Sequence, residues 1–337
     1  MKVVLAGCGR IAHTWMNTIK EMPELDIVGF MDIDIEAAKS YRKQYKLNNA
    51  VVGNDILDVL KNTNPDIIFD CTAPVGHKNT TITALEYGCH VLGEKPLAQT
   101  FQDAKEMVET AQKTGKLYAV MQNRRYAKEI RTLKNFIKSG EIGDLTTLNC
   151  DFYLGAHFGG FRDHMKHVLL IDMAIHTFDQ ARLISGADPV AVYCHEWNPK
   201  GSWYDQDASA VCIFEMTDGI VYTYRGSWCA EGCNTTWESD WRAICTKGSM
   251  LWDGQKNFKV QQVANDEGFL RELNDIDIQI DESEKSGGHD GCIREFIDCV
   301  KNNKIPETIC TDNIKSLAMC FAAVESSETG KRVEIKI

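Results

Sequence analysis

The chain has 337 residues, of which 44% are hydrophobic and 25% are charged, and its formal net charge is −11. Its length favours two domains, and its composition is ordinary for a globular protein. The negative charge argues against nucleic acid or an anionic membrane as the main partner, and no apolar run approaches the ~20 residues of a membrane span.

Strand-like and helix-like segments alternate through the first 122 residues. This alternation is typical of the α/β class, with a doubly wound parallel sheet. Thr100 with Asp103 resembles a helix start, and Gly88 and Gly115 lie where helices are predicted to end. The predicted strands are 2–6, 26–31, 67–71, 89–92 and 117–121, and the predicted helices are 10–21, 34–46, 54–62, 77–87 and 101–114.

The pattern changes after residue 122, so we predict a first domain at 1–122 and a second at 123–337. Asp218-Gly219 lies between two alternating apolar runs and predicts a β-hairpin. The acidic segment 264–288 has little pattern and is predicted to be rich in loops. In the second domain the predicted strands are 145–153, 190–197, 207–216, 219–228, 241–246 and 249–252, and the predicted helices are 127–139, 165–185, 289–302 and 312–328.

The first strand leads into Gly-x-Gly-x-x-Ala at Gly7, Gly9 and Ala12, and a second apolar run ends at Asp32. Gly7 permits a tight turn, Gly9 lets backbone N–H groups approach a pyrophosphate, and the following helix N-terminus favours phosphate charge. Asp32 would accept hydrogen bonds from a ribose 2′-hydroxyl and repel a 2′-phosphate. The pattern predicts a dinucleotide site that prefers NAD to NADP, and the alternative is a glycine turn that binds no nucleotide.

A lysine follows the fourth predicted strand, in Gly93-Glu-Lys95-Pro96. Ligands of open α/β sheets lie beyond the carboxyl ends of the strands, so Lys95 is placed for chemistry. Pro96 restricts Lys95 and is compatible with a cis peptide bond that holds the lysine inward. A surface lysine in a β-to-α turn is the alternative.

Asp172 and His176 are four residues apart on a predicted helix, so they are expected to share a face. Histidine is the usual proton acceptor near neutral pH, and an acid one turn away can orient it. A helix-face ion pair without a catalytic role is the alternative.

Three histidines, His157, His164 and His167, precede this helix, with Arg162 among them. We expect His157, Arg162 and His164 to contact hydroxyls of a substrate. Ordinary polar surface is one alternative. The other is a metal site that His164 and His167 would form with the acid and histidine of the following helix, but we expect no metal.

Thirteen cysteines, an odd number, lie mostly in apolar stretches, and no Cys-x-x-Cys pair occurs. They predict reduced, buried thiols in a cytoplasmic protein. Cys229 and Cys233 have no partner ligands near them in sequence, so no zinc is predicted there. The chain begins directly with a strand, and we therefore expect no signal peptide. Six of the seven tryptophans lie between 197 and 252, where sheet packing or a subunit interface is expected for most of them.

Together these motifs resemble the glucose–fructose oxidoreductase, inositol dehydrogenase and MocA (Gfo/Idh/MocA) family, in the same order and over nearly the whole chain. The resemblance implies an N-terminal Rossmann domain and a C-terminal α/β domain with a large, mostly antiparallel sheet. That sheet commonly forms the subunit interface of homodimers or homotetramers in the family. The matching segments are Gly7-Cys-Gly-Arg-Ile-Ala12, Cys71-Thr-Ala-Pro-Val-Gly-His77, Gly93-Glu-Lys-Pro-Leu97, Asp172-x-x-x-His176-Thr-Phe-Asp179 and Thr246-Lys-Gly-Ser-Met250.

The resemblance also implies a role for individual residues. Lys95, Asp172 and His176 match the family's catalytic positions, and Lys95 also contacts the cofactor. The chain departs from the family at 163–171, where polar side chains replace a glycine-rich approach, so an atypical substrate is expected. The implied cofactor positions are Gly7, Gly9, Arg10 and Ile11 at the phosphates, Asp32 at the ribose, Thr72, Ala73, Pro74 and His77 in a loop over the cofactor, and Glu94 near the nicotinamide.

The implied reaction is hydride transfer between a nicotinamide and a secondary hydroxyl of a polyol, which is a sugar, glycoside or cyclitol. His176 would take the hydroxyl proton, Lys95 would stabilise the oxygen, and Asp172 would orient the substrate or the Lys–His pair. Two alternatives stay open. One is an aldose–aldose oxidoreductase that retains its cofactor, and the other is a non-catalytic regulator, against which the presence of all three residues argues.

Overall fold

The computed structural model describes residues 1–282 and 285–337. Contacts group the chain into two compact units, each made of two segments. The division into domains at residue 122 stays a prediction. The contacts within the chain place one late segment in the first unit. The first unit comprises Met1–Tyr126 and Gly287–Ile314, and the second comprises Ala127–Ser286 and Lys315–Ile337.

Within residues 1–126, which are all described, the chain forms a six-stranded parallel sheet. The strands are β1 (Lys2–Ala6), β2 (Asp26–Met31), β3 (Val51–Gly53), β4 (Ile67–Asp70), β5 (His90–Gly93) and β6 (Tyr118–Val120). They lie in the order β3-β2-β1-β4-β5-β6, which confirms the predicted doubly wound sheet. The switch point lies between β1 and β4, where open α/β sheets bind ligands. β3 was not predicted, because a run of three residues is too short to show the periodicity of a strand.

Five α-helices lie in the same segment of the chain. They are α1 (Arg10–Ile19), α2 (Ile35–Gln44), α3 (Ile56–Thr63), α4 (Pro74–Tyr87) and α5 (Phe101–Thr114). The Thr100 hydroxyl accepts a hydrogen bond from Asp103 N (3.1 Å) and caps α5, as predicted. Gly88 and Gly115 end α4 and α5 in the left-handed region, which glycine enters without steric cost.

Among the described residues of the second unit, nine strands form one sheet. The strands are β7 (Leu145–Tyr153), β8 (Pro189–Trp197), β9 (Ser209–Met216), β10 (Val221–Ser227), β11 (Asp240–Cys245), β12 (Gly248–Trp252), β13 (Phe258–Val263), β14 (Leu273–Ile276) and β15 (Val333–Glu334). Their order is β14-β13-β12-β11-β7-β10-β9-β8-β15. Neighbours are antiparallel except β7 and β10, which confirms the large, mostly antiparallel sheet.

The predicted hairpin is confirmed: β9 and β10 pair antiparallel across a turn at Thr217–Gly219, where Asp218 has φ 59°. β13, β14 and β15 were not predicted. β14 lies inside the segment 264–288, at the edge of the sheet, and three of its four residues are exposed. Because both of its sides face solvent, its sequence does not alternate between apolar and polar residues.

The prediction of one helix over 165–185 is wrong in its first part. A 3₁₀ turn occupies Gly160–His164 and a π-helical turn occupies Leu169–Met173. The α-helix α7 (Ala174–Ser185) starts only after them, and it follows α6 (Lys128–Ser139) in chain order. His167 has φ 52°, a left-handed conformation that an α-helix cannot contain.

Phe178 of α7 packs on aromatic side chains of the nine-stranded sheet. The ring of Phe178 lies 4.8 Å from that of Phe214 and 5.3 Å from that of Tyr224, centroid to centroid. Successive side chains of a strand point to opposite sides. Tyr193 and Ile213, which pair across β8 and β9, are therefore exposed, by 48% and 44%. We call the side that carries them the open face.

Two further helices, α8 (His289–Asn302) and α9 (Cys310–Thr329), lie close to their predicted positions. α8 belongs to the first unit, where Ile293 and Phe296 are buried in one core with Trp15 and Phe69. No helix in the described part of the chain has both the length and the apolar character that crossing a membrane requires.

Candidate active site

The turn between β1 and α1 lies at the switch point of the first sheet. Gly7 has φ 85°, and a Cβ atom there would lie 2.4 Å from the backbone carbonyl of Cys71, so a larger residue does not fit. Gly9 precedes α1, and a Cβ atom there would meet no described atom within 4 Å. Arg10 and Ile11 are exposed in the first helical turn. The N–H groups of a helix start therefore border open space, an arrangement that fits a pyrophosphate.

The carboxylate of Asp32 is fixed beside this turn, just beyond β2. Its Oδ2 accepts a hydrogen bond from Cys8 N (2.6 Å), and its Oδ1 accepts one from Asp34 N (2.9 Å). Each carboxylate oxygen has a further lone pair with which to accept a ribose hydroxyl. The phosphate turn and the predicted ribose acid are thus joined directly through Cys8.

Replacing Asp32 with serine should weaken the preference for NAD over NADP by at least about tenfold, since the substitution removes a charge that repels a 2′-phosphate. The dissociation constants of both cofactors, measured by titration calorimetry, give the ratio. Asp34→Ser, two residues away on the exposed start of α2, is the matched control and should leave the ratio unchanged. Wild-type protein that binds NADP more tightly than NAD would contradict the assignment.

A buried carboxylate at the end of β4 organises the loop that follows it. Asp70 is fully buried and accepts hydrogen bonds from the Thr72 hydroxyl (2.6 Å), Thr72 N (3.0 Å) and the Thr81 hydroxyl (3.1 Å). Its Oδ2 lies 3.1 Å from Nδ1 of buried His77. Burial pushes the pKa of His77 down, but the Asp70 charge outweighs it, so the His77 pKa lies above its ordinary value.

This network fixes both ends of the segment that contains Thr72, Ala73, Pro74 and His77. Asp70 was missed in the sequence, although an acid that ends the entirely apolar run Ile67-Ile-Phe signals a carboxylate at the ligand-binding edge of the sheet. His77 was expected to face a cofactor. In the structure, its Nδ1 side faces Asp70 and Thr72.

Glu94 and Lys95 lie at the same edge, immediately after β5. Glu94 is buried, and its Oε1 accepts a hydrogen bond from Trp15 Nε1 (2.6 Å) while its Oε2 accepts one from Lys95 N (3.2 Å). The Lys95–Pro96 peptide bond is cis, a form with which the sequence is compatible. Burial and the positive charge of Lys95 lower the pKa of His289, against the opposing effect of Glu94. His289, the first residue of α8, was not predicted to take part in this group.

In the second unit, Arg162 and Asp172 form an ion pair. Arg162 Nε donates to Asp172 Oδ2 at 2.6 Å, and the guanidinium lies 5.1 Å from the ring centroid of Phe158 and 4.7 Å from that of Phe161. Asp172 lies in the π-helical turn, whereas His176 is buried in the first turn of α7. Their spacing predicts that the two residues lie on one regular α-helix, and the structure shows that they do not.

The other predicted substrate histidines have different partners. His157 stacks on Trp203 with 3.7 Å between ring centroids, and its Nε2 lies 3.0 Å from Glu231 Oε1. His164 is exposed and bonds Asp205 (2.5 Å), and this hydrogen bond raises the pKa of His164. Among the described residues, His164 belongs to no cluster of three side chains that could bind a metal. The predicted alternative, a metal site of His164 and His167 with Asp172 and His176, is therefore not formed.

Three of the tryptophans between 197 and 252 are buried, as expected for sheet packing: Trp228, Trp241 and Trp252. Trp237 is instead 42% exposed and lies 6.0 Å from the ring of Phe158, which is 45% exposed. We call Phe158, Phe161 and Trp237 the aromatic patch. Its rings adjoin Arg162 and offer flat apolar surface next to charged groups. No periodic pattern in the sequence predicts this patch.

Two family models match the chain. Residues 1–122 match an oxidoreductase family with an NAD-binding Rossmann fold, and residues 130–251 match the Gfo/Idh/MocA C-terminal domain. The chain is similar to D-glucoside 3-dehydrogenase of Escherichia coli, with 28% identity over 60% of this chain and 59% of that protein. It is also similar to 1,5-anhydro-D-fructose reductase of Ensifer adhaerens, with 21% identity over 98% of each protein.

Among solved structures, the fold matches that of an oxidoreductase from Agrobacterium radiobacter in complex with NAD⁺, L-tartaric acid and magnesium. The TM-score is 0.86 over 99% of this chain and 98% of that chain, with 20% sequence identity. At this identity, the similarity shows a shared fold.

Proposed function

Because the chain belongs to the Gfo/Idh/MocA family of oxidoreductases and carries its NAD-binding Rossmann domain, we propose that it transfers hydride between NAD and a secondary hydroxyl of a sugar, glycoside or cyclitol. The observation that carries this proposal is Lys95, held at the ligand-binding edge of the sheet next to buried Glu94, whose two carboxylate oxygens each accept a hydrogen bond. Two relatives with sugar-derived substrates in their names support the substrate class.

In the proposed reaction, bound NAD supplies the hydride acceptor when the hydroxyl is oxidised. His176 accepts the hydroxyl proton at an imidazole nitrogen. The ammonium group of Lys95 donates a hydrogen bond to the same oxygen and stabilises the negative charge that develops on it. Asp172, oriented by Arg162, accepts a hydrogen bond from a neighbouring hydroxyl and so fixes the ring of the substrate.

The aromatic patch and its charged neighbours suit a polyhydroxylated ring. Aromatic side chains pack on the apolar C–H face of a sugar, while its hydroxyls need polar partners. Arg162 and Asp172 provide a donor and an acceptor next to Phe158 and Phe161. We propose that His157 and His164 add further contacts to hydroxyls at the edge of this group.

Replacing His164 with alanine should raise KM for the true polyol about three- to tenfold and leave NAD affinity unchanged, because the variant loses one polar contact to the substrate. Steady-state kinetics and a cofactor titration measure the two effects. Lys166→Ala, at an exposed position in the same segment, is the control and should behave like wild type. Equal kinetics of both variants and wild type would make His164 an ordinary surface residue.

A substrate panel tests the proposal. The protein is incubated with NAD and with individual sugars, glycosides and inositols while the absorbance of reduced cofactor is followed. Turnover of at least one polyol is expected. Nicotinamide that copurifies and is reduced and reoxidised without release would favour the aldose–aldose oxidoreductase. Binding of NAD without turnover of any polyol in either direction would overturn the proposal and favour a regulator.

We also propose a homodimer or homotetramer, formed through the open face of the nine-stranded sheet. Tyr193 and Ile213 are about half exposed there, and apolar surface of this kind is typical of subunit interfaces. A mass of one chain in light scattering would contradict an oligomer.

We further propose that the protein is located in the cytoplasm. All thirteen cysteines are free thiols, which supports this location. Detection of the protein only in an oxidising compartment after cell fractionation would contradict it.

A further inference from the structure

Three side chains with metal-binding groups, none of which is assigned a role in catalysis, meet in the second unit. They are His167, before the π-helical turn, Glu196 in β8, and Asp207, just before β9. One ligand atom from each lies within 4.8 Å of the other two. We propose that these residues bind a divalent transition-metal cation, with Zn²⁺ as the preferred ion, and we call them the β8 site.

Glu196 is the strongest indication of a missing positive charge. The residue is only 7% exposed, and its Oε2 lies 2.7 Å from His167 Nδ1. Its buried Oε1 has no hydrogen-bond partner among the described residues. A buried carboxylate oxygen without a partner costs free energy, because water no longer solvates it. A cation bound between Glu196 and its neighbours would remove this cost.

The charges around the site point in the same direction. Besides Glu196 and Asp207, Glu328 approaches His167, with 3.6 Å between its Oε1 and His167 Nε2. Three carboxylates thus face one imidazole. The cluster therefore has more negative charge than a single histidine can balance.

The ligand types select the ion. Carboxylate oxygens alone would suit Mg²⁺ or Ca²⁺, whereas an imidazole favours first-row transition metals, and zinc binds a mixture of the two. Zinc bonds of about 2.0–2.2 Å place neighbouring ligand atoms roughly 3.3 Å apart. Ligand atoms at the 4.8 Å limit need to close by about 1.5 Å, whereas Glu196 Oε2 and His167 Nδ1, at 2.7 Å, need to move slightly apart. Exposed Glu328 or water can complete the coordination.

The position of the site suggests what the ion does. Ile171 N donates to the carbonyl oxygen of His167 at 3.0 Å, which joins the β8 site to the turn that carries Asp172. A bound ion would tie this turn to β8 and to the chain before β9. The ion would thus have a structural role and would take no part in hydride transfer, so the proposal stands apart from the proposed function.

Metal binding can be measured directly. The full-length protein is freed of metal by dialysis against a chelator and then titrated with ZnCl₂ in a calorimeter, and the metal content is checked by elemental analysis. We expect one Zn²⁺ per chain with Kd below about 10 μM and a rise in Tm of about 3 °C or more at saturation. MgCl₂ at the same concentration should give no comparable rise.

Three variants locate the site. Glu196→Gln and Asp207→Asn should each weaken Zn²⁺ binding at least tenfold. His195→Asn is the matched control, since His195 is exposed on the opposite side of β8 and should leave binding unchanged. If buried Glu196→Gln fails to fold, half-buried Asp207 still provides the test. Wild-type binding weaker than about 10 μM, or wild-type affinity in Asp207→Asn, would overturn the proposal.

Discussion

Replacing Lys95 with alanine should lower kcat at least about a thousandfold while Kd for NAD changes less than about tenfold. The proposed role of the ammonium group is to stabilise the charge that develops on the substrate oxygen. An interaction made mainly in the transition state affects turnover much more than binding. Steady-state kinetics with the polyol that is turned over fastest measure kcat, and a calorimetric titration with NAD measures Kd.

Two controls separate this role from a structural one. Lys78→Ala removes a lysine of the same unit that pairs with Asp103 and Glu106 on the surface, and it should keep wild-type turnover. Lys95→Arg keeps the charge but changes its geometry, so its kcat should fall less than that of the alanine variant. Normal turnover of Lys95→Ala would show that Lys95 is not catalytic, and the regulator would then become the better hypothesis.

Replacing Gly7 with alanine should destabilise the first unit by several kcal/mol. The added Cβ atom would lie 2.4 Å from the carbonyl carbon and oxygen of Cys71 and 2.5 Å from Thr72 N, at a residue with φ 85°. All three are backbone atoms of the two residues that follow β4, so they cannot move without disturbing the end of that strand. A left-handed backbone and a backbone clash add their costs, and a loss of Tm above about 5 °C is expected in thermal denaturation.

Gly9→Ala is the matched substitution, and we expect it to weaken NAD binding without lowering the stability of the protein. Its Cβ atom would meet no described atom within 4 Å, and Gly9 has φ −93°, which alanine adopts readily. Its Tm should therefore stay within about 2 °C of wild type, while NAD affinity falls at least tenfold because the methyl group crowds the pyrophosphate. Equal Tm values for the two variants would contradict the structural explanation, and unchanged NAD affinity in Gly9→Ala would contradict the phosphate site.

The fold was largely predictable because its main elements have local patterns. Buried strands such as Lys2–Ala6 are apolar runs that end at glycine or an acid, and Asp218 with Gly219 marks a hairpin. The exposed edge strand Leu273–Ile276 lacks such a pattern. The π-helical turn before α7 could not be predicted either, because the order of apolar and polar residues in 165–185 suits one continuous α-helix.

The candidate site was predictable where a motif is contiguous, as in the phosphate turn and around Lys95. It was not predictable where long-range contacts define it. Trp15 reaches Glu94 across 79 positions of the chain, and Arg162 was expected at a substrate but pairs with Asp172. The β8 site likewise joins His167 to Glu196, 29 positions later, through tertiary folding alone.

The return of α8 to the first unit has a consequence for synthesis of the chain. Ile293 and Phe296 fill the same core as Trp15 and Phe69, but they are translated after most of the second unit. A nascent chain on the ribosome therefore holds an unfinished nucleotide-binding core, with apolar surface open to chaperones, until α8 emerges. A fragment that ends at Tyr126 would keep that apolar surface exposed. We expect a protease to cleave this fragment rapidly under conditions in which the full-length protein resists cleavage.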